Sequence, residues 1–291
     1  MIWSFVPSDT AFRPASTVVV LKDGTAGLEV LLVRRHQKAA FMAGAHVFPG
    51  GVVEAGDHAV VAAGLCDVGT ITAPAGMTVD EALAYRVAAV RELFEEAGIF
   101  IARDDRGRFL ALHEEGTRQR FVEYRHQLHA GSFDLRALLE REQLRLATDV
   151  VLPCAHWVTP PVDVRRFDTR FFVAPLPEGQ EPVHDARETT ESAWMTPASA
   201  LAASTAGTIS LPPPTWITLR ELEGCRTVSA AMAWARQRRV PRREPRVVEE
   251  DGVRMTLMPG DPLFPDDVEP VVGETRFVLA DGRWYPQRVE P

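Results

Sequence analysis

The chain has 291 residues, 46% hydrophobic and 25% charged, with a formal net charge of −8. That balance is ordinary for a soluble globular protein. It argues against general nucleic-acid binding, which needs a basic patch or stripe, and no apolar run of about 18 residues is present to span a membrane. Cys66, Cys154 and Cys225 stand alone without C-x-x-C spacing. They predict reduced thiols in a cytoplasmic protein, not a disulfide framework or a zinc site.

Residues 15–21 are a β-branched run closed by the turn signal Lys22-Asp23-Gly24, and residues 28–34 are a second strand candidate, so the two predict a hairpin. Val47-Phe48 then leads into the glycine loop Pro49-Gly50-Gly51. From Asp57 onward a stretch rich in small residues predicts a loop with one short helix. Thr78 and Glu81 form a capping box, and Gly98 supplies the left-handed residue that closes the helix between them.

At about 100° per residue, Val79, Leu83, Val87, Val90 and Phe94 share one side of that helix, and Glu92, Glu95 and Glu96 crowd the other. Three carboxylates so close repel one another, and Arg91 offsets only one of them. Hard cations such as Mg²⁺ or Mn²⁺ take oxygen ligands, so the i, i+3, i+4 set is a natural seat for metal. The alternative is an ordinary solvated acidic face.

Residues 103–147 are charged, and the spacing of Phe121, Tyr124 and Leu128, then of Leu135, Leu138, Leu139 and Leu144, predicts two helices. They read either as a cap that shapes a substrate pocket or as a plain surface hairpin. Residues 171–174 and 191–195 are strand candidates, with a helix beginning near Pro197. Further helices are expected over residues 217–222, capped by Thr215, and 227–239. Glu188 is a candidate extra metal ligand or base, whereas Glu191 reads as a surface residue. Past Pro241 two hairpins are expected, turning at Glu250-Asp251-Gly252 and at Ala280-Asp281-Gly282. They either complete a sheet edge or make a homodimer contact.

The loop and the acidic helix together resemble the Nudix box, whose pattern is G-x5-E-x7-R-E-U-x-E-E-x-G-U with U aliphatic. Gly51 matches the first glycine, and Arg91, Glu92, Leu93, Glu95, Glu96, Gly98 and Ile99 match the second half without a gap. Asp57 stands where the family has Glu, and 33 residues separate it from Arg91 where the pattern has seven. The box is thus split by an insertion over roughly residues 59–83. This resemblance implies an α/β/α sandwich with a mixed sheet, helical insertions and a C-terminal β-rich extension. The core would span residues 1–240 and the extension residues 241–291.

The resemblance also implies site roles. Glu92, Glu95, Glu96 and the Gly51 carbonyl would hold Mg²⁺ or Mn²⁺. Glu95 would take the proton of the attacking water, and Arg91 would orient the glutamates. Asp57, one methylene shorter than the family's Glu, is left as an additional ligand or base.

Leu31, Leu32, Arg35, Gly44 and Phe48-Pro49-Gly50-Gly51 keep the spacing of the coenzyme A signature of Nudix coenzyme A diphosphatases. Val33 and His36 depart from it, and Ala40 replaces its second arginine, for which Lys38 could substitute. Gly50, Arg35 and Lys38 are accordingly the substrate-binding candidates. The split box, His156-Trp157-Val158-Thr159-Pro160 and the run Arg165-Arg166-Phe167-Asp168-Thr169-Arg170-Phe171-Phe172 resemble the branch that includes the animal peroxisomal acyl-coenzyme A diphosphatases. The implied reaction is metal-dependent cleavage of the diphosphate in coenzyme A or an acyl-coenzyme A, giving adenosine 3′,5′-bisphosphate and 4′-phosphopantetheine. ADP-ribose, NADH or a nucleotide sugar stays open as the substrate because the second arginine is missing. A non-catalytic binding or regulatory module is the remaining alternative, and the intact carboxylate triad argues against it.

Overall fold

The computed structural model describes residues 12–37, 42–160, 163, 165–183, 185, 189–265 and 268–289. Strands β1 (Arg13–Gly24) and β2 (Gly27–Arg35) form the expected hairpin, but Lys22-Asp23-Gly24 belongs to the ladder and Thr25-Ala26 makes the turn. Lys22 bridges to Glu29 opposite it at 3.4 Å and lies over the Trp194 ring, cross-strand contacts that carry the ladder two residues further.

After β3 (His46–Val47) and β4 (Gly50–Val52) come α1 (Ala55–Ala62), the long α2 (Val79–Ala97), β5 (Ala102–Arg103), α3 (Glu115–His129), α4 (Leu135–Glu142) and β6 (Arg145–Leu146). Then follow β7 (Leu152–Val158), β8 (Phe167–Pro175), β9 (Thr189–Met195), α5 (Pro197–Thr205), α6 (Pro213–Leu222), α7 (Val228–Gln237) and β10 (Arg242–Arg243). The chain closes with β11 (Arg246–Glu250), β12 (Val253–Leu257), β13 (Arg276–Ala280) and β14 (Arg283–Gln287).

The main sheet runs β10-β7-β8-β1-β2-β3, with β4 also on β1 and β9 also on β2. The β1–β8 and β10–β7 pairs are parallel and the others antiparallel, so the sheet is mixed. Alternation along β1 sorts two layers. Val18 and Val20 enter a core with α1 to α4, and Val19 and Leu21 enter another with α5 to α7. The architecture is the expected α/β/α sandwich.

Helix α2 keeps both predicted caps. Thr78 Oγ1 accepts from the Glu81 amide, Glu81 reaches back to the Thr78 amide, and Gly98 closes the helix at φ 70°. Val79 departs from the expected core face and is 41% exposed, at the first position of the helix. The box insertion is part of α1, a loop, and the start of α2, with α1 packed along α2. Helix α6 starts at Pro213, where a missing N–H costs nothing, which places Thr215 inside the helix instead of at its cap.

The C-terminal hairpins turn where expected, with Asp251-Gly252 at φ 50° and 76° and Asp281-Gly282 at 50° and 72°. They form a separate four-stranded sheet, β11-β12-β13-β14, which corrects the expectation that they complete an edge of the main sheet. What extends the main sheet is β10, beside β7. Phe277, Met258 and Val271 drop into the second core, with Phe277 edge-on to Trp216. The Arg276–Asp261 fork and the bond from the Trp216 indole to Glu274 tie this sheet down. Among the described residues no helix is long and apolar enough to cross a membrane.

Candidate active site

The close approach of the glycine loop to β1 and α2 builds the site. Gly50 and Gly51 pair with Thr17 and Ser16 across the β4–β1 ladder. A Cβ on Gly50 would lie 2.3 Å from the Ser16 carbonyl oxygen, and one on Gly51 would lie 2.3 Å from a carboxylate oxygen of Glu92. No other residue type lets the loop pass this close to the acidic end of α2.

Arg91 is the hub. Its Nη1 donates to Glu92 at 2.9 Å and to Glu95 at 3.3 Å, and its Nη2 donates to the Val52 carbonyl at 2.8 Å. Its Nε and Nη2 grip the two oxygens of Asp57 at 2.9 and 3.1 Å. Burial alone would lower the Arg91 pKa, but the Asp57 hydrogen bonds and the charges of Glu92, Asp57 and Glu95 push it up and keep the guanidinium charged. One cation therefore sets the loop, the insertion helix and two glutamates relative to one another.

Asp57 sits at the third position of α1 with no exposed surface. Its oxygens also receive the Glu54 amide at 2.8 Å. Both oxygens are engaged in these bonds, so the residue positions Arg91. Glu96 is 3% exposed and accepts the Gly50 amide at 3.2 Å. Glu92 and Glu95 are half-buried. The solvated-face alternative fails, because loop and insertion cover this side of α2. Burial is the largest influence on Glu95 and raises its pKa, with Glu54 adding to the rise and Arg91 and His129 opposing it.

A preassembled carboxylate triad is not what the geometry gives. Among the described residues no three acidic, imidazole or thiol groups converge as a finished ligand set. Arg91 holds Glu92 and Glu95, while the loop amide holds Glu96. The donor chemistry nonetheless fits a hard divalent cation, being all oxygen and carrying more negative charge than Arg91 balances.

Arg35 is half-buried at the end of β2, and its Nε has no hydrogen-bond partner among the described residues. Lys38, Ala40 and Glu188 lie outside the described residues. Glu191 is exposed and pairs with Arg34 at 3.5 Å.

Sequence reasoning missed the contribution of α3. Arg125 donates from Nε to the Glu95 carbonyl and from Nη1 to the Val183 carbonyl, securing the last turn of α2. His129, one turn on, lies 3.8 Å from Glu95 and 3.6 Å from Asp185. Asp185 in turn accepts from the Thr189 amide and hydroxyl. The signal was present as polar residues flanking the Phe121–Tyr124–Leu128 stripe, but nothing in the sequence said which neighbour they would meet. The inserted helices buttress α2, and none of their described residues lines the cleft.

That cleft, about 510 Å³, lies on the opposite face of the main sheet. It starts at Gly50, Arg35 and Thr17, runs past Phe48, Trp157 and Phe171, and ends under the C-terminal sheet at Thr256, Leu279 and Trp284.

The NUDT19 Nudix domain model matches residues 69–222. The chain belongs to this family. It is a Nudix hydrolase, and the match leaves the glycine loop and the C-terminal sheet outside the matched segment. The chain is 26% identical to the acyl-coenzyme A diphosphatase NUDT19 of Xenopus laevis over 89% of this chain and 77% of that one. It is 28% identical to the protein of the same name from Homo sapiens over 83% and 73%. A solved Nudix hydrolase from Alicyclobacillus acidocaldarius superimposes with a TM-score of 0.64 at 28% identity, covering 78% of this chain and 97% of that one.

Proposed function

We propose that the protein hydrolyses the diphosphate linkage of coenzyme A or, by preference, an acyl-coenzyme A, with a divalent metal held at the acidic end of α2. The observation that carries this is the Arg91 hub, which fixes Glu92, Glu95 and the glycine loop at one point. The names of the relatives support the coenzyme A class, as does Arg35 in the partial coenzyme A signature, set on the cleft wall beside Gly50.

Glu92, Glu95 and Glu96, with the Gly51 carbonyl, would hold Mg²⁺ or Mn²⁺. When bound, such an ion sets positive charge against the charge that develops on the diphosphate oxygens and makes water more acidic. Glu95 takes the proton from the attacking water, and its partly desolvated carboxylate is suited to that work. Arg91 keeps Glu92 and Glu95 in register with the loop, and Asp57 keeps Arg91 in place. Arg35 meets a substrate phosphate with its forked donors.

Hydrolysis of coenzyme A, an acyl-coenzyme A, ADP-ribose, NADH and a nucleotide sugar, with Mg²⁺ or Mn²⁺ and mass-spectrometric detection, tests the assignment. Adenosine 3′,5′-bisphosphate from the coenzyme A compounds is the expected product. Preference for another substrate would keep the glutamates and discard the coenzyme A assignment.

A further inference from the structure

We propose that the cleft between the main sheet and the C-terminal sheet binds the acyl-pantetheine arm of the substrate, and that Leu279, Thr256 and Trp284 select it. The proposal rests on the acyl-coenzyme A reading and deepens it.

Position comes first. The cleft is lined by Gly50, whose amide is bonded to Glu96, so one residue adjoins both the cleft and the acidic site. Its near wall comes from the two stretches that the hydrolytic site does not use, through Trp157 and Thr159 of one and Phe167, Thr169 and Phe171 of the other. Its far wall is one face of the C-terminal sheet. Arg254 and Thr256 share that face along β12, as the period of two requires, and Leu279 lies opposite both Arg254 and Trp284 in the ladders.

Chemistry decides the occupant. Arg35, Asp163 and Arg254 carry the charge among the described lining residues, and Asp163 and Arg254 neutralise each other at 3.0 Å. A nucleoside bisphosphate would bring two phosphates to the one guanidinium that remains among the described lining residues. The pantetheine arm is neutral, with amides and a hydroxyl suited to Thr17, Thr159, Ser210 and Thr256. The acyl chain suits Met258, Leu279 and Trp284 beyond them. The volume is of the size that takes a small organic ligand, and each methylene buried there strengthens binding roughly fourfold.

The test is equilibrium binding of S-octanoyl-4′-phosphopantetheine, which lacks the adenylate half, to the full chain and to Leu279→Arg, with adenosine 3′,5′-bisphosphate as the second probe. The octanoyl probe should bind the wild type and lose at least about tenfold in Leu279→Arg, as expected for closing off two or more buried methylenes. Affinity for the bisphosphate should hold. In turnover, the preference for octanoyl- over free coenzyme A should fall by a similar factor. Leu279→Trp, which fills the cleft without adding charge, should act in the same direction and guards against misfolding of the arginine variant.

Unchanged octanoyl binding in both variants, or loss of the bisphosphate instead, would overturn the proposal. A wild type that binds the octanoyl probe through Leu279 but cleaves no coenzyme A compound would overturn the substrate reading and leave the cleft assignment standing.

Discussion

The two faces of the main sheet carry opposite kinds of chemistry. On the α2 face, three buried or half-buried carboxylates, Asp57, Glu92 and Glu95, surround one arginine, and a fourth, Glu96, is held by the Gly50 amide. On the other face lies a cleft walled by rings, prolines and hydroxyls, whose few charges largely cancel. Gly50 belongs to both, giving its amide to Glu96 and its surface to the cleft. The contrast separates bond breaking from recognition. On the proposed reading, the charged face fixes where a diphosphate reacts, and the apolar face fixes which molecule brings it.

The sharpest way to break that division is Glu95→Gln. It would remove the proposed base and metal ligand while keeping the shape, so kcat should fall by about 10²–10⁴, the range for a positioned general base. KM for the acyl chain and the unfolding midpoint should hardly move. A variant of full activity would end the assignment of chemistry to this face.

Asp57→Ala should act next most strongly, on stability first. It leaves the Arg91 guanidinium buried without its bidentate partner, a loss of about 3 kcal/mol, the low end for a buried pair because Glu92 and Glu95 stay in place, readable by urea unfolding. Activity should fall with it, since Arg91 then loses its anchor to α1. A fully stable variant would mean that Arg91 is held by the glutamates alone.

How much of this was legible follows the same division. The capping box at Thr78 and Glu81, the Gly98 closure and the REUxEExGU run are local, so the sequence alone placed α2 and its acidic end. The Asp57–Arg91 pair spans 34 positions and an insertion, and spacing could not tell a ligand from a brace. Arg125 and His129 reach the site from α3, whose apolar stripe revealed burial but not the partner. The cleft was least legible. Its walls come from β1, the strand ends near Trp157 and Phe171, and a C-terminal sheet that short-range patterning reads only as two hairpins.

The smallest effect concerns a pair on the neighbouring strands β7 and β8. His156 lies 2.8 Å from Asp168, whose carboxyl is pushed up by burial but down by more through His156 and Arg170, for a net lowering. A lowered folded pKa stabilises fully above the ordinary value of 3.8 and is lost as pH falls through the folded value. Asp168→Asn should therefore flatten the stability loss below that pH, by about 1.5 kcal/mol, the low end for a charged hydrogen bond, in acid-titrated thermal unfolding. An unchanged acid limb would assign the loss to other carboxylates.

The most direct test of the central claim, that the carboxylates around Arg91 seat a divalent cation, is a Mn²⁺ titration read by the electron paramagnetic resonance of the free ion. Wild type should take up Mn²⁺, and Glu92→Gln/Glu95→Gln/Glu96→Gln should lose at least about tenfold in affinity, as expected when anionic oxygen ligands are replaced by neutral ones, while remaining folded. Equal uptake by the folded triple variant would place the metal elsewhere and contradict the account.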